Sequence, residues 1–146
     1  MKIVGFAFKN NISSEVLQNL KLKRKHFVTS EHEAIKNFVN KLITEKPDYI
    51  LGLGMYSKKD KNKLRIETHY SKDIKRYSIS YFLSPGKNTK LTNGIGNSYC
   101  NHISLLIMES IKNKKLNSKY TFVHIPKTFQ TNKAVLEIEE MLSKLE

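Results

Sequence analysis

A chain of 146 residues is long enough to bury one core and short for two domains. With 39% hydrophobic and 27% charged residues it is neither a disordered nor a fibrous chain, and no apolar run approaches the roughly 18 residues that cross a bilayer. The net charge of +13 raises nucleic-acid binding, but only Arg24, Arg65 and Arg76 among the 26 basic residues are arginines. Guanidinium forks suited to reading bases are therefore scarce. The lysines are spread along the chain (Lys21, Lys23, Lys25; Lys58, Lys59, Lys61, Lys63; Lys112, Lys114, Lys115) beside 13 asparagines, which fits a solvated surface better than a nucleic-acid footprint. The first nine residues lack the apolar length and the cleavage site of a signal peptide, and a single cysteine permits no internal disulfide; the expected compartment is the cytoplasm.

In chain order, Ile3 to Phe8 reads as a short apolar strand, and Asn11 or Ser13 caps a helix running to about Leu20. A weak strand near His26 to Val28 precedes a second helix. Its expected cap is Ser30, with Glu33 at the capping-box spacing, and Ile35, Phe38, Val39, Leu42 and Ile43 make its apolar stripe. Pro47-Asp48 ends that helix, and Tyr49 to Gly54 reads as a buried strand of a parallel sheet closing on a glycine turn. Lys63 to Tyr70 and Arg76 to Leu83 form two extended segments joined by Ser71-Lys72-Asp73, the pattern of a hairpin. Ser84 to Gly96 reads as loop.

Asn97 or Ser98 then caps a helix from about Tyr99 to Asn113, with Ile103, Leu106, Ile107 and Ile111 on its apolar face. Tyr120 to Pro126 is a strand, and Lys133 to Leu145 a last amphipathic helix. Alternation of strand and helix without repeat or linker implies one α/β domain over 1–146. The expected architecture is a three-layer α/β/α sandwich around a mostly parallel twisted sheet.

The chemistry concentrates in three residues. Cys100 falls in the first turn of its helix, where unpaired N–H groups and the helix dipole favour a thiolate. Those N–H groups, with Gly94-Ile95-Gly96 just before, are candidates for holding an oxyanion. His124, at a strand end before Pro126, is the candidate acid and base, and Glu67 the candidate carboxylate that orients it. Each has a plain structural competitor: a packed helix-start cysteine, a satisfied core histidine, a solvent-facing glutamate. The five histidines, at 26, 32, 69, 102 and 124, and the one cysteine show no metal-site spacing, so neither metal nor other cofactor is expected.

Tyr99-Cys100-Asn101 resembles the segment around the nucleophile of pyroglutamyl-peptidase I, and Phe122-Val123-His124-Ile125-Pro126, 24 residues beyond the cysteine, is similar to that family's Phe-Val-His-Val-Pro. Gly5-Phe6-Ala7-Phe8 resembles its amino-terminal Gly-Phe-x-Pro-Phe without the proline, Asn11-Ile12-Ser13 the Asn-x-Ser after it, and Leu64-Arg65-Ile66-Glu67 the stretch ending in its glutamate. The chain resembles a shortened and divergent member. The resemblance implies a cysteine omega-peptidase that removes an amino-terminal pyroglutamyl group from blocked peptides. Cys100, His124 and Glu67 would be its triad, Phe6 and Phe8 would flank the pyroglutamyl ring, and Arg76 would stand near the oxyanion. Assembly as a homo-oligomer is compatible with it, and neither a membrane nor a nucleic acid is an expected partner. The alternative is a catalytically inactive relative, or a basic binding module for an acidic partner.

Overall fold

Residues Ile3–Phe8 form β1, which is buried on both faces as a central parallel strand must be. Val4, Phe6 and Phe8 enter one apolar cluster, and Ala7 enters another across the sheet. The computed structural model describes residues 1–57, 62–96 and 98–145. Lys58, Lys59, Lys61 and Asn97, the alternative cap of the cysteine helix, lie outside the described residues.

Helix α1 (Ile12–Asn19) starts as expected, with the Asn11 side chain accepting a hydrogen bond from the Ser13 N–H at 2.8 Å. Strand β2 (Arg24–Val28) is a half-exposed edge beside β1. Helix α2 (His32–Glu45) is preceded by Glu31, which makes no side-chain capping bond. The Ser30 and Glu33 capping box therefore does not form. Glu31 donates its N–H to the Thr29 carbonyl instead, which delays the helix by one residue. Strand β3 is Tyr49–Tyr56.

The next stretch departs from a simple hairpin. Leu64–Glu67 is β4, a member of the main sheet, and the chain then bends at Thr68 into a separate hairpin of β5 (His69–Lys72) and β6 (Lys75–Ser78). The bend is fixed by Thr68, whose N–H and hydroxyl both donate to the Thr92 carbonyl, at 2.8 and 3.1 Å. Residues 79–83 are not strand. Within the expected loop, Thr89–Thr92 is an edge strand, β7, pairing with β4. Helix α3 (Tyr99–Lys112), β8 (Lys119–Pro126) and α4 (Thr131–Ser143) complete the chain.

The six-stranded sheet has the order β2-β1-β3-β8-β4-β7, parallel throughout except between β8 and β4. Helices α1 and α4 cover one face with Val16, Leu17, Ala134, Ile138 and Met141. Helices α2 and α3 cover the other with Ile35, Phe38, Leu42, Ile103 and Ile107. The result is the expected three-layer α/β/α sandwich. The edge is held by Glu137 of α4, a buried carboxylate accepting from the Asn88 N–H at 2.7 Å and the Thr89 hydroxyl at 2.6 Å. None of the described helices is long and apolar enough to cross a membrane.

Candidate functional site

The site is built where α3 begins against the carboxyl ends of β3 and β8. Ser98 is the N-cap of α3, its hydroxyl accepting from the Cys100 N–H at 3.3 Å, and Cys100 is the second residue of the helix. The sulfur lies on the sheet directly above β3. A Cβ placed on Gly54 would stand 2.8 Å from Cys100 Sγ and 2.7 Å from the Phe122 ring, so only glycine leaves room for the thiol at this level. Gly54 is the register partner of His124 on β8. Neighbouring strands lie about 4.8 Å apart, so the imidazole is offered beside the sulfur.

Glu67 arrives from the antiparallel side. In the β4–β8 pair Arg65 faces His124, and side chains two apart share a face, so Glu67 is the diagonal neighbour of the imidazole. Its Oε2 lies 2.6 Å from His124 Nδ1. Cys100 acts on the same ring, and with Nδ1 committed to Glu67, Nε2 is the nitrogen left for sulfur. Burial is the largest single influence on His124 and pushes its pKa down. The hydrogen bonds and charges of Cys100 and Glu67 together outweigh it and raise the pKa from 6.5 to about 9. The imidazole is therefore held as the cation at neutral pH, between two acidic groups.

The cluster is nearly closed, with Cys100 8%, His124 4% and Glu67 0% exposed. Glu67 Oε1 is buried without a hydrogen-bond partner among the described residues. Aromatic rings frame the imidazole: Phe122 stands edge-on at 5.0 Å and Tyr56 at 6.0 Å between centroids. Ile95, from the glycine-containing loop before α3, belongs to the same apolar cluster as Cys100. Gly96 in that loop has φ +83°, a backbone conformation that suits glycine, where the chain turns towards the helix.

Cys100, His124 and Glu67, singled out in the sequence, thus come together. The other expected residues do not all join them. Phe6 is fully buried, packed on Phe38, Tyr120 and Phe122 with centroids at 5.1, 6.4 and 6.2 Å, so it is a core residue. Phe8 stands at the end of β1, 3% exposed and edge-on to Phe6. Arg76 is exposed on β6, opposite Ser71 in the hairpin and outside the buried cluster. The arginine that the fold brings to the site face is Arg65, 8% exposed, its guanidinium carbon 3.9 Å from the centroid of the Tyr56 ring. A readable signal existed for it, since alternation along β4 puts Arg65 on the face of Glu67. Among the described residues no group of three or more metal-ligating side chains occurs.

The site of this α/β/α sandwich sets a thiol at a helix start, an imidazole on a neighbouring strand and a buried carboxylate behind it, groups that can serve nucleophilic chemistry. No known protein family description matches the chain, and no curated protein matches it. Solved structures do. The chain is similar to a pyrrolidone carboxyl peptidase from Thermococcus litoralis, with a TM-score of 0.81 and 12% identity, covering 98% of this chain and 92% of that one. It is similar to the pyrrolidone carboxyl peptidase of Thermus thermophilus (TM-score 0.73, 14% identity, 98% and 100% covered). It is also similar to the pyroglutamyl peptidase I of Bacillus amyloliquefaciens (TM-score 0.76, 13% identity, 95% and 94% covered). At these identities the likeness establishes the fold, which is the fold the sequence motifs indicated.

Proposed function

We propose that the chain is a cysteine peptidase that releases an amino-terminal pyroglutamyl group from blocked peptides. The observation that carries the reading is His124, bonded through Nδ1 to Glu67, with the Cys100 sulfur seated over Gly54, the register partner of His124 on β3. Its support is a fold shared with pyrrolidone carboxyl peptidases.

In this reading the Cys100 thiolate attacks the pyroglutamyl carbonyl carbon, forming a C–S bond while the carbonyl electrons move to oxygen. As the intermediate collapses the C–N bond breaks, and the His124 imidazolium gives its proton to the departing amine. Its raised pKa suits that task, because the group is charged at neutral pH. Acylation takes away Cys100 as one of the two groups that raise the imidazole. His124, neutral after giving up its proton and with a lowered pKa, stays free to take a proton from water, which attacks the thioester and frees pyroglutamate and the thiolate. Glu67 holds the ring in one orientation throughout. With Cys100 only 8% exposed, substrate entry requires the cover over the sulfur to give.

The test is turnover of a pyroglutamyl fluorogenic amide, compared with ordinary aminoacyl amides. Release of the fluorophore that is abolished by Cys100→Ala and by iodoacetamide supports the reading. Tight nucleic-acid binding with a steep salt slope and no cleavage of either amide overturns it in favour of a basic binding module.

A further inference from the structure

The proposed reaction needs Cys100 and Glu67 to meet on opposite sides of one imidazole, yet they come from different elements. Cys100 rides on α3 and Glu67 ends β4. One side chain ties the two together. The Asn101 amide, immediately after the cysteine, accepts the Ser71 N–H at 2.7 Å and donates to the Ser71 carbonyl at 3.0 Å. Ser71 lies on β5, four residues beyond Glu67 and past the bend pinned at Thr68. The links close on themselves: Glu67 to His124, His124 by way of its register partner Gly54 to Cys100, the peptide bond to Asn101, the Asn101 amide to Ser71, and the backbone back to Glu67.

We infer that Asn101 is a positioning residue, whose two-point clamp on Ser71 sets the distance between the nucleophile's helix and the strand end carrying the carboxylate. The rest of the hairpin is held elsewhere. Lys72 pairs with Glu109, and Lys112 donates to the Tyr70 hydroxyl at 2.8 Å and lies 4.6 Å over the Tyr77 ring. Glu109 and Lys112 are two to three helical turns beyond Asn101, roughly 12 to 17 Å along the axis. They dock the hairpin on α3 without touching the ring of contacts. Among the described residues, the Asn101 amide is what joins the docked hairpin to the residue beside Cys100.

The inference rests on the reading of Cys100 and His124 as the reacting pair, and its test separates the two. Asn101→Ala, Asn101→Asp and, as a control, Lys112→Met are compared with the parent protein in kcat, in KM and in the NMR titration of the His124 imidazole. Asn101→Ala is expected to lower kcat by about 10- to 100-fold, the range for groups that orient a reacting residue, with KM within about threefold. Its imidazole titration is expected to move down from about 9 towards 6.5. Asn101→Asp keeps the acceptor for the Ser71 N–H and loses the donor, so it falls between. It also serves if the alanine variant does not fold. Lys112→Met loosens the hairpin and leaves kcat and the titration unchanged. A folded Asn101→Ala protein with the parent's titration and kcat overturns the inference, and so does a Lys112→Met protein that shifts both equally. If the parent cleaves no pyroglutamyl amide, the titration still reports whether the ring is intact, so the peptidase reading can fail while the positioning role stands.

Discussion

Replacing Glu67 by glutamine keeps a carbonyl that can accept from His124 Nδ1 and removes the buried charge behind it. In the parent the imidazole is raised from 6.5 to about 9. A displacement of that size corresponds to about 3 kcal/mol of preference for the imidazolium in the native state, at roughly 1.4 kcal/mol per unit. The sign follows from linkage: a group raised on folding contributes its full stabilisation below pH 6.5 and loses it as the pH climbs through about 9. Burial, which lowers the imidazole, remains in the variant, and Glu67 is one of the two groups that offset it, so Glu67→Gln should forfeit more than half of the effect, on the order of 2 kcal/mol. Urea unfolding of parent and variant at pH 6 and pH 9.5 reads this as a difference of differences, in which titrations common to both proteins cancel. The parent should lose more stability than the variant between the two pH values, and the variant's imidazole should titrate lower. Parallel pH dependences in the two proteins would refute the placement of His124 as a cation held by Glu67.

Other substitutions test other joints of the structure. Gly54→Ala puts a methyl 2.8 Å from Cys100 Sγ and 2.7 Å from Phe122; overpacking of this kind costs about 1 to 3 kcal/mol, and denaturation should show that loss together with slower alkylation of the thiol. The β5–β6 turn holds Asp73 at φ 49° and Ile74 at φ 60°, and the isoleucine is fully exposed. A β-branched residue is strained there, so Ile74→Gly should stabilise the protein by about 1 kcal/mol, seen as a higher melting temperature. His102 is pushed down by partial burial and by His32, whose ring is 4.6 Å away. A lowered histidine costs stability as pH falls below 6.5, so His102→Gln should be less sensitive than the parent to a shift from pH 7.5 to pH 5 in urea unfolding.

What the sequence disclosed and what it withheld divide along physical lines. The central strands β1, β3 and β8 are apolar on both faces, and the helices carry stripes of helical period, so both were legible. Cys100 in the first turn of α3 followed from the Ser98 cap. Strand β7 escaped because an edge strand of Thr89, Lys90, Leu91 and Thr92 needs only one neighbour, and that neighbour, β4, is non-adjacent in sequence. The bend at Thr68 was hidden for a similar reason, since the Thr92 carbonyl that fixes it lies 24 residues away. The candidate site was legible as residue types, a helix-start cysteine, a strand-end histidine and a strand glutamate. Their meeting was not, because it depends on β4 running antiparallel to β8 and on Gly54 admitting the sulfur. The resemblance implies that Phe6 and Phe8 flank a ligand, while alternation along a fully buried strand sends Phe6 into the core. The resemblance implies Arg76 near the oxyanion; the structure has it exposed on β6, while Arg65 shares the face of Glu67.

The most direct test of the central claim is to look for the acyl group on the sulfur. Parent protein mixed with an activated pyroglutamyl ester, quenched in acid and weighed intact by mass spectrometry, should carry one pyroglutamyl group on the peptide containing Cys100. His124→Ala should carry far less and Cys100→Ala none. Unmodified parent protein, or an equal load on the Cys100→Ala variant, would contradict the account.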